Sequence, residues 1–321
     1  MATIIESDNP EFAVGEQFRG LLHITNVVQM KVRRSPEGFI AYGEKRDKLN
    51  QAYNGFIQVK NNSASPISGE GVKSDLAMTS APGALSGFLL YELLKAHDFY
   101  RGNSVVLTSA SSKLSLATAL LLKNERDSGN LKRVIGCTSV GNMEFVKNTS
   151  FFDDALTYDQ TIEADEGLQH VLIDVAGDAV IYKRIKDKLI KGLAVGGTHS
   201  DAETSSLKSF GLTGFVKMFI DMVAPLSIKT WASKNLNPPL EMFFAPTVRH
   251  ELLARWGKDE MDRKADIALQ SFVDVAVDNN WIQVDRSETI DSIQAAYRKI
   301  ILGQVPPSEA ITLSLVKDVA T

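Results

Sequence analysis

The run Ser104-Val-Val-Leu-Thr-Ser-Ala-Ser-Ser-Lys-Leu-Ser-Leu-Ala-Thr118 is the stretch of this chain best equipped for chemistry. A short apolar strand, a turn of small residues and an apolar helix succeed one another, and the next strand opens at Arg133. Together they have the length of a mononucleotide-binding βαβ unit. In such a unit the helix N-terminus turns its free N–H groups and positive dipole end toward a diphosphate. Glycines usually line the turn, because backbone must approach the phosphates closely. Here Ser109, Ser111 and Ser112 stand in their place, with Ala110 at the tight turn and Lys113 just inside the helix. Hydroxyls and an ammonium can hold phosphate oxygens, yet serines can equally do no more than cap a helix. Both roles suit these residues.

The end of the second strand narrows the choice of ligand. Folds that select NAD place Asp or Glu there to hold the ribose 2′-hydroxyl. This chain has Thr138-Ser-Val-Gly-Asn142, without a carboxylate. Thr138, Ser139 and Asn142 offer hydroxyls and an amide to a 2′-phosphate, which a carboxylate would repel. A bound dinucleotide is therefore expected to be NADPH. The plain alternative is a strand-to-helix turn with Asn142 as its N-cap, and the two are compatible.

Other reactive types are less well placed. Tyr91-x-x-x-Lys95 and Tyr182-x-x-x-Lys186 match a pattern in which lysine lowers a tyrosine pKa for proton transfer. On a helix that spacing only sets Lys one turn below Tyr. The five histidines, His23, His97, His170, His199 and His250, show no metal-ligand spacing. The single cysteine, Cys137, excludes an intramolecular disulfide and any multi-cysteine zinc site, and on a buried strand it reads as core.

These residues need elements to position them. Apolar strands and helices alternate from Ser104 onward: strands at 104–108, 133–138, 155–158, 170–177, 192–196 and 241–244, helices at 114–122, 142–147 and 179–190. That alternation predicts an α/β fold with a doubly wound parallel sheet of Rossmann type, covered on both faces. Ahead of it, Phe18 to Val28 and Gly55 to Val59 read as β-rich runs, and Leu85 to Leu94 as a helix. Behind it come helices around 248–256, 259–277 and 288–302, the last opened by a capping-box-like Asp285 and Glu288, and strands at 281–284 and 310–316. The 321 residues carry a net charge of −4 with 44% hydrophobic and 23% charged side chains. This balance favours neither nucleic acid nor an anionic membrane as partner. No apolar run reaches spanning length, so a cytoplasmic protein is expected.

Several motifs in order resemble the medium-chain dehydrogenase/reductases: Val105 to Leu122, Gly136-Cys-Thr-Ser-Val-Gly-Asn142, Phe152 to Asp159, Leu172-Ile-Asp-Val-Ala-Gly177, Val195-Gly-Gly-Thr-His199, Phe243-Phe-Ala-Pro246 and Ala295 to Gly303. Upstream, Ala13 to Gly20 and Ala52 to Gly55 extend the likeness. It is greatest to a zinc-free, quinone-oxidoreductase-like branch of unknown function in which a Ser-Ala-Ser-Ser-Lys turn replaces the glycine motif. The resemblance implies a GroES-like second domain, here reduced and β-rich. Its N-terminal part is expected to be missing, since family members carry several dozen more residues before their first nucleotide strand. The implied boundaries are 1–78 for the truncated catalytic-type domain, 79–280 for the Rossmann domain and 281–321 for the return to the β-rich domain.

By the same resemblance, Ser109, Ser111, Ser112 and Lys113 face the diphosphate and Thr138, Ser139 and Asn142 the 2′-phosphate, bordered by Tyr158. Gly196, Thr198 and Phe244 border the nicotinamide. His199 is the one candidate for donating a proton or hydrogen bond to substrate, and no metal is implied. The implied activity is NADPH-dependent, zinc-independent reduction of a carbonyl or an activated carbon–carbon double bond in a small-molecule, hydrophobic substrate. The alternative is an NADPH-binding sensor, scaffold or partner protein without turnover. An insertion at 199–240, rich in apolar residues such as Phe210, Phe215 and Phe219, is expected either to close over the nicotinamide end or to form a packing helix in a homo-oligomer.

Overall fold

The computed structural model describes residues 1–49, 53–59, 65–67, 71–160, 167–177, 179–195 and 240–314. The chain divides into one unit of residues 1–79, 284–305 and 310–321 and another of residues 80–283 and 306–309.

In the first unit β1 (Ala2–Thr3), β2 (Gln17–Arg19), β3 (Lys31–Ser35), β4 (Gly38–Tyr42) and β5 (Gly55–Val59) form an antiparallel sheet in the order β1-β2-β5-β4-β3. Alternation buries Phe18, Phe39, Ala41 and Phe56 on one face with Phe12. Phe39 stacks on Phe56 with ring centroids 4.5 Å apart and meets Phe18 edge-on at 4.7 Å. The Arg34 guanidinium covers the Phe12 ring at 4.2 Å and pairs with Glu16 at 3.1 Å. The β-rich run expected to reach Val28 stops at Arg19, and most of the residues from Gly20 to Val28 lie exposed.

α1 (Val72–Ala96) is far longer than its apolar spacing suggests, running through Pro82. Its Ser80–Ala96 stretch belongs to the second unit. A Cβ on Gly87 would stand 2.9 Å from the Leu114 carbonyl oxygen and 3.0 Å from the Thr118 nitrogen, so glycine here serves a close helix approach.

The second unit is built on β6 (Ser104–Leu107), β7 (Arg133–Thr138), β8 (Asp154–Thr157), β9 (His170–Asp174), β10 (Leu189–Ala194) and β11 (Leu240–Met242). Every pairing is parallel, and the order is β11-β10-β9-β6-β7-β8. Counted from β6 as the first strand, that is 6-5-4-1-2-3, the doubly wound order of dinucleotide-binding folds, with its reversal between β6 and β9. The fold is α/β, with a Rossmann-type parallel sheet and a smaller antiparallel sheet. Every residue of β6 and β9 is buried, as strands covered on both faces must be. α2 (Lys113–Asp127), α3 (Met143–Thr149) and α4 (Ala179–Ile185) supply crossovers, and Ile181 and Ile185 pack on Val106, Ile135, Cys137 and Leu172. Burial pushes the Cys137 thiol up to about 12, which makes it core rather than nucleophile.

At the sheet's other end, α5 (Ala245–Trp256) and α6 (Lys258–Asp278) follow β11. Lys191 on β10, 2% exposed, pairs with Glu241 on β11 at 3.0 Å and lies under the Tyr100 ring at 5.4 Å. Tyr100 sits in the turn Asp98–Arg101, whose four non-glycine residues all have left-handed φ, from 47 to 63°. β12 (Gln283–Ser287) pairs with β13 (Glu309–Leu313), and α7 (Ile290–Ile301) lies between them in sequence. The cap of α7 is not Asp285 with Glu288: Thr289 and Ser292 exchange the capping bonds instead, since Asp285 is held in β12. Among the described residues no helix is long and apolar enough to cross a membrane.

Gly136 on β7 sits beneath the turn after β6. A Cβ there would meet the Phe152 ring at 2.8 Å and the Ala110 Cβ at 3.0 Å. Gly136→Ala should therefore destabilise the protein by about 1–3 kcal/mol, the usual cost of overpacking. Thermal unfolding reads this out, and an unchanged midpoint would refute the close packing.

Candidate functional site

The turns at the carboxyl ends of β6, β7, β8 and β9 are bound to one another by side chains. Ser109 closes β6 with φ 49°, a left-handed conformation that costs a serine about 1–2 kcal/mol. Its N–H donates to the Tyr158 hydroxyl at 2.9 Å, so an aromatic just past β8 holds the first residue of the turn. Ala110 is fully buried and its N–H donates to the Cys137 carbonyl on β7 at 2.9 Å. The Ser111 hydroxyl accepts from the Asn142 amide at 3.1 Å. Ser112 is the true cap of α2: its hydroxyl accepts from the Ser115 N–H at 3.2 Å. Of the three serines only Ser112 is used as an N-cap. Asn142 precedes α3 but makes no side-chain cap, because its amide reaches Ser111.

Lys113 is the first residue of α2, and its N–H and that of Leu114 have no acceptor within the helix. The Lys113 ammonium is half-buried, and desolvation alone pushes its pKa down. No carboxylate pairs with it among the described residues. A desolvated cation at the positive end of a helix dipole is unfavourable on both counts, and an anion placed there would relieve both.

At the end of β7, Thr138 is 1% exposed while Ser139 is exposed. Phe244 stands half-exposed at the start of α5, beyond the opposite end of the sheet from Tyr158. Gly196, Thr198 and His199 lie outside the described residues, as does the insertion up to residue 239. Among the described residues no group of His, Cys, Asp and Glu stands where it could hold a metal ion.

The tyrosine–lysine pair at 91 and 95 has a different use. Tyr91 donates to Glu125 at 2.7 Å, and Lys95 lies 3.2 Å from Tyr91 and 3.3 Å from Glu125. Burial pushes Tyr91 up to about 12, opposite to what proton transfer needs. His170 is structural: it contacts the Ser104 hydroxyl at 3.1 Å, and burial lowers its pKa.

Two residues of the site escaped the reading of the sequence. Thr108 and Asp174, both fully buried, are joined by a 2.8 Å hydrogen bond from the Thr108 hydroxyl to the Asp174 carboxylate. The available signal was a carboxylate at the end of an otherwise apolar buried strand.

A family model described as "Protein of unknown function (DUF2855)" matches residues 1–306. Comparison with curated protein sequences gives no match. Among solved structures, the chain is similar to the yhdH oxidoreductase from Salmonella enterica in complex with NADP, at 15% identity over 98% of this chain and 79% of that one, with a TM-score of 0.49. It is also similar to protein yhfP from Bacillus subtilis with NAD bound, at 15% identity over 98% and 79% of the two chains, with a TM-score of 0.48. The quinone oxidoreductase from Coxiella burnetii gives 13% identity, 96% and 75% coverage, and a TM-score of 0.43. The fold assignment rests on the chain's own strand order.

Tyr158→Phe removes the acceptor for the Ser109 N–H. The variant should lose about 1 kcal/mol of stability, the worth of one partly buried hydrogen bond. Denaturant unfolding measures it, and amide exchange at Ser109 should quicken selectively.

Proposed function

The chain belongs to this family of unknown function, DUF2855, and we propose that it is a zinc-independent, NADPH-dependent reductase of a carbonyl or of a carbon–carbon double bond activated by one. The observation that carries this reading is Lys113: a desolvated cation without a carboxylate partner among the described residues, at the first turn of the helix after the first strand of a doubly wound sheet. The site fits a dinucleotide diphosphate by charge and by position, beside the strand-order reversal where such sheets bind their ligands.

In this proposal Ser109, Ser111, Lys113 and the first N–H groups of α2 hold the diphosphate, with Ser112 fixing the helix start. Ser139 and Asn142 meet the 2′-phosphate above the buried Thr138, and Tyr158 borders it while holding the turn. Gly196, Thr198 and Phe244 line the nicotinamide half. His199 donates a proton or hydrogen bond to the substrate oxygen. NADPH supplies the hydride, and the chain's part is to bind, orient and exclude water. Zinc independence is supported by the donor set, since the one cysteine is buried in the sheet core.

Calorimetric titration tests the choice of cofactor. NADPH should bind more tightly than NADH, and Ser139→Asp should weaken NADPH selectively by setting a carboxylate against the 2′-phosphate. Equal affinities in the native chain would sink the NADPH assignment. Turnover of NADPH with a panel of enones and quinones then separates a reductase from a binding protein.

The lowered pKa of Lys113 gives a pH signature. Burial disfavours the ammonium, so its charge is lost at a lower pH than that of a solvated lysine. Affinity for NADPH should accordingly fall on the alkaline side earlier than for a solvated lysine. Lys113→Met should bind weakly at neutral pH and lose that alkaline dependence.

A further inference from the structure

Two turns face each other across the strand-order reversal, one after β6 and one after β9, and both could present N–H groups to an anion. The residues after β9, Val175, Ala176 and Gly177, offer three consecutive N–H groups, and such a run can form an anion-binding concavity. In this chain all three are engaged within the protein. The Thr108 hydroxyl accepts from the Val175 N–H at 2.8 Å and the Ala176 N–H at 2.9 Å. Its own proton goes to the Asp174 carboxylate at 2.8 Å. A hydroxyl has one proton and two lone pairs, so Thr108 is saturated. The same carboxylate oxygen accepts from the Gly177 N–H at 3.0 Å. The Thr108 carbonyl meanwhile accepts from the Ser115 hydroxyl at 3.0 Å, which ties the arrangement to the first turn of α2.

We infer that Thr108 and Asp174 are positioning residues that decide which of the two facing turns takes the diphosphate. They turn the N–H groups of 175–177 inward and set a buried carboxylate beneath that turn. The first turn of α2, with Lys113, is left as the anion acceptor, and the β9 turn faces a part of the ligand without phosphate. The dinucleotide is then held in one direction along the crevice. This inference rests on the dinucleotide reading above and adds to it the residues that set the ligand's polarity.

The test compares NADPH with inorganic pyrophosphate, an anion that has no nucleosides to orient. Thr108→Val keeps the side-chain shape but releases the Val175 and Ala176 N–H groups. NADPH should bind the variant about tenfold more weakly, in line with unpairing buried polar groups. Pyrophosphate should bind it at least as tightly as it binds the native chain, because Lys113 and the first turn of α2 are unchanged. Thr108→Ser, which keeps the hydroxyl, should restore NADPH binding. If Thr108→Val does not fold, Asp174→Asn provides the same comparison at smaller amplitude, since a neutral amide oxygen accepts more weakly than a carboxylate. Equal weakening of both ligands, or native affinity for both, overturns the inference while leaving the dinucleotide reading intact. A native chain that binds neither ligand overturns both.

Discussion

The candidate site depends on how closely the turn after β6 approaches the next strand. In a dinucleotide-binding turn, glycine ordinarily supplies that closeness from within the turn itself. Here the requirement is met from the other side. Ala110 is fully buried against β7 and bonded to the Cys137 carbonyl, and the strand gives way by having no side chain at Gly136. The conformational demand remains, since Ser109 has to adopt a left-handed φ. The Tyr158 hydroxyl holds that residue in place through its N–H. A glycine's two services, room and conformational freedom, are thus divided between a strand glycine and a tyrosine.

That division explains which parts were legible in the sequence. Strands of the parallel sheet follow from apolar runs, and Arg133–Thr138 is placed to the residue because Val134, Ile135, Gly136 and Cys137 sit between polar neighbours. The serine turn stood out for the same reason. The bonds that hold it are not legible there, because the partners are remote: Tyr158 lies 49 positions from Ser109, and Asp174 lies 66 from Thr108. Local spacing carries no information about such pairs. The helix α1 was underestimated because Pro82, Gly83 and Gly87 punctuate its pattern, yet glycine there serves close packing against α2. At α7 the capping chemistry was anticipated but assigned too early in the chain, because the strand β12 claims Asp285.

Polar residues inside the second unit fall into two kinds. Around Glu125, a carboxylate, a phenol, an ammonium and an amide satisfy one another: Glu125 accepts from Tyr91 and from Asn130 at 2.8 Å, with Lys95 beside it. At the carboxyl edge Lys113 has no carboxylate paired with it among the described residues, and desolvation pushes its pKa down. The difference lies in what is missing around a charged group rather than in the residue types present.

The pair Lys191–Glu241 has a consequence for how the sheet is completed. β10 ends at Ala194 and β11 begins at Leu240, so the last strand must find its neighbour from more than forty positions away. A slip of one position would turn Glu241 to the opposite face of the sheet, away from the buried Lys191 ammonium. Breaking a buried ion pair costs several kcal/mol, far more than the intact pair contributes. The ion pair therefore acts as a key for alignment: it adds little strength to the finished sheet, but it makes each wrong docking of the returning strand expensive.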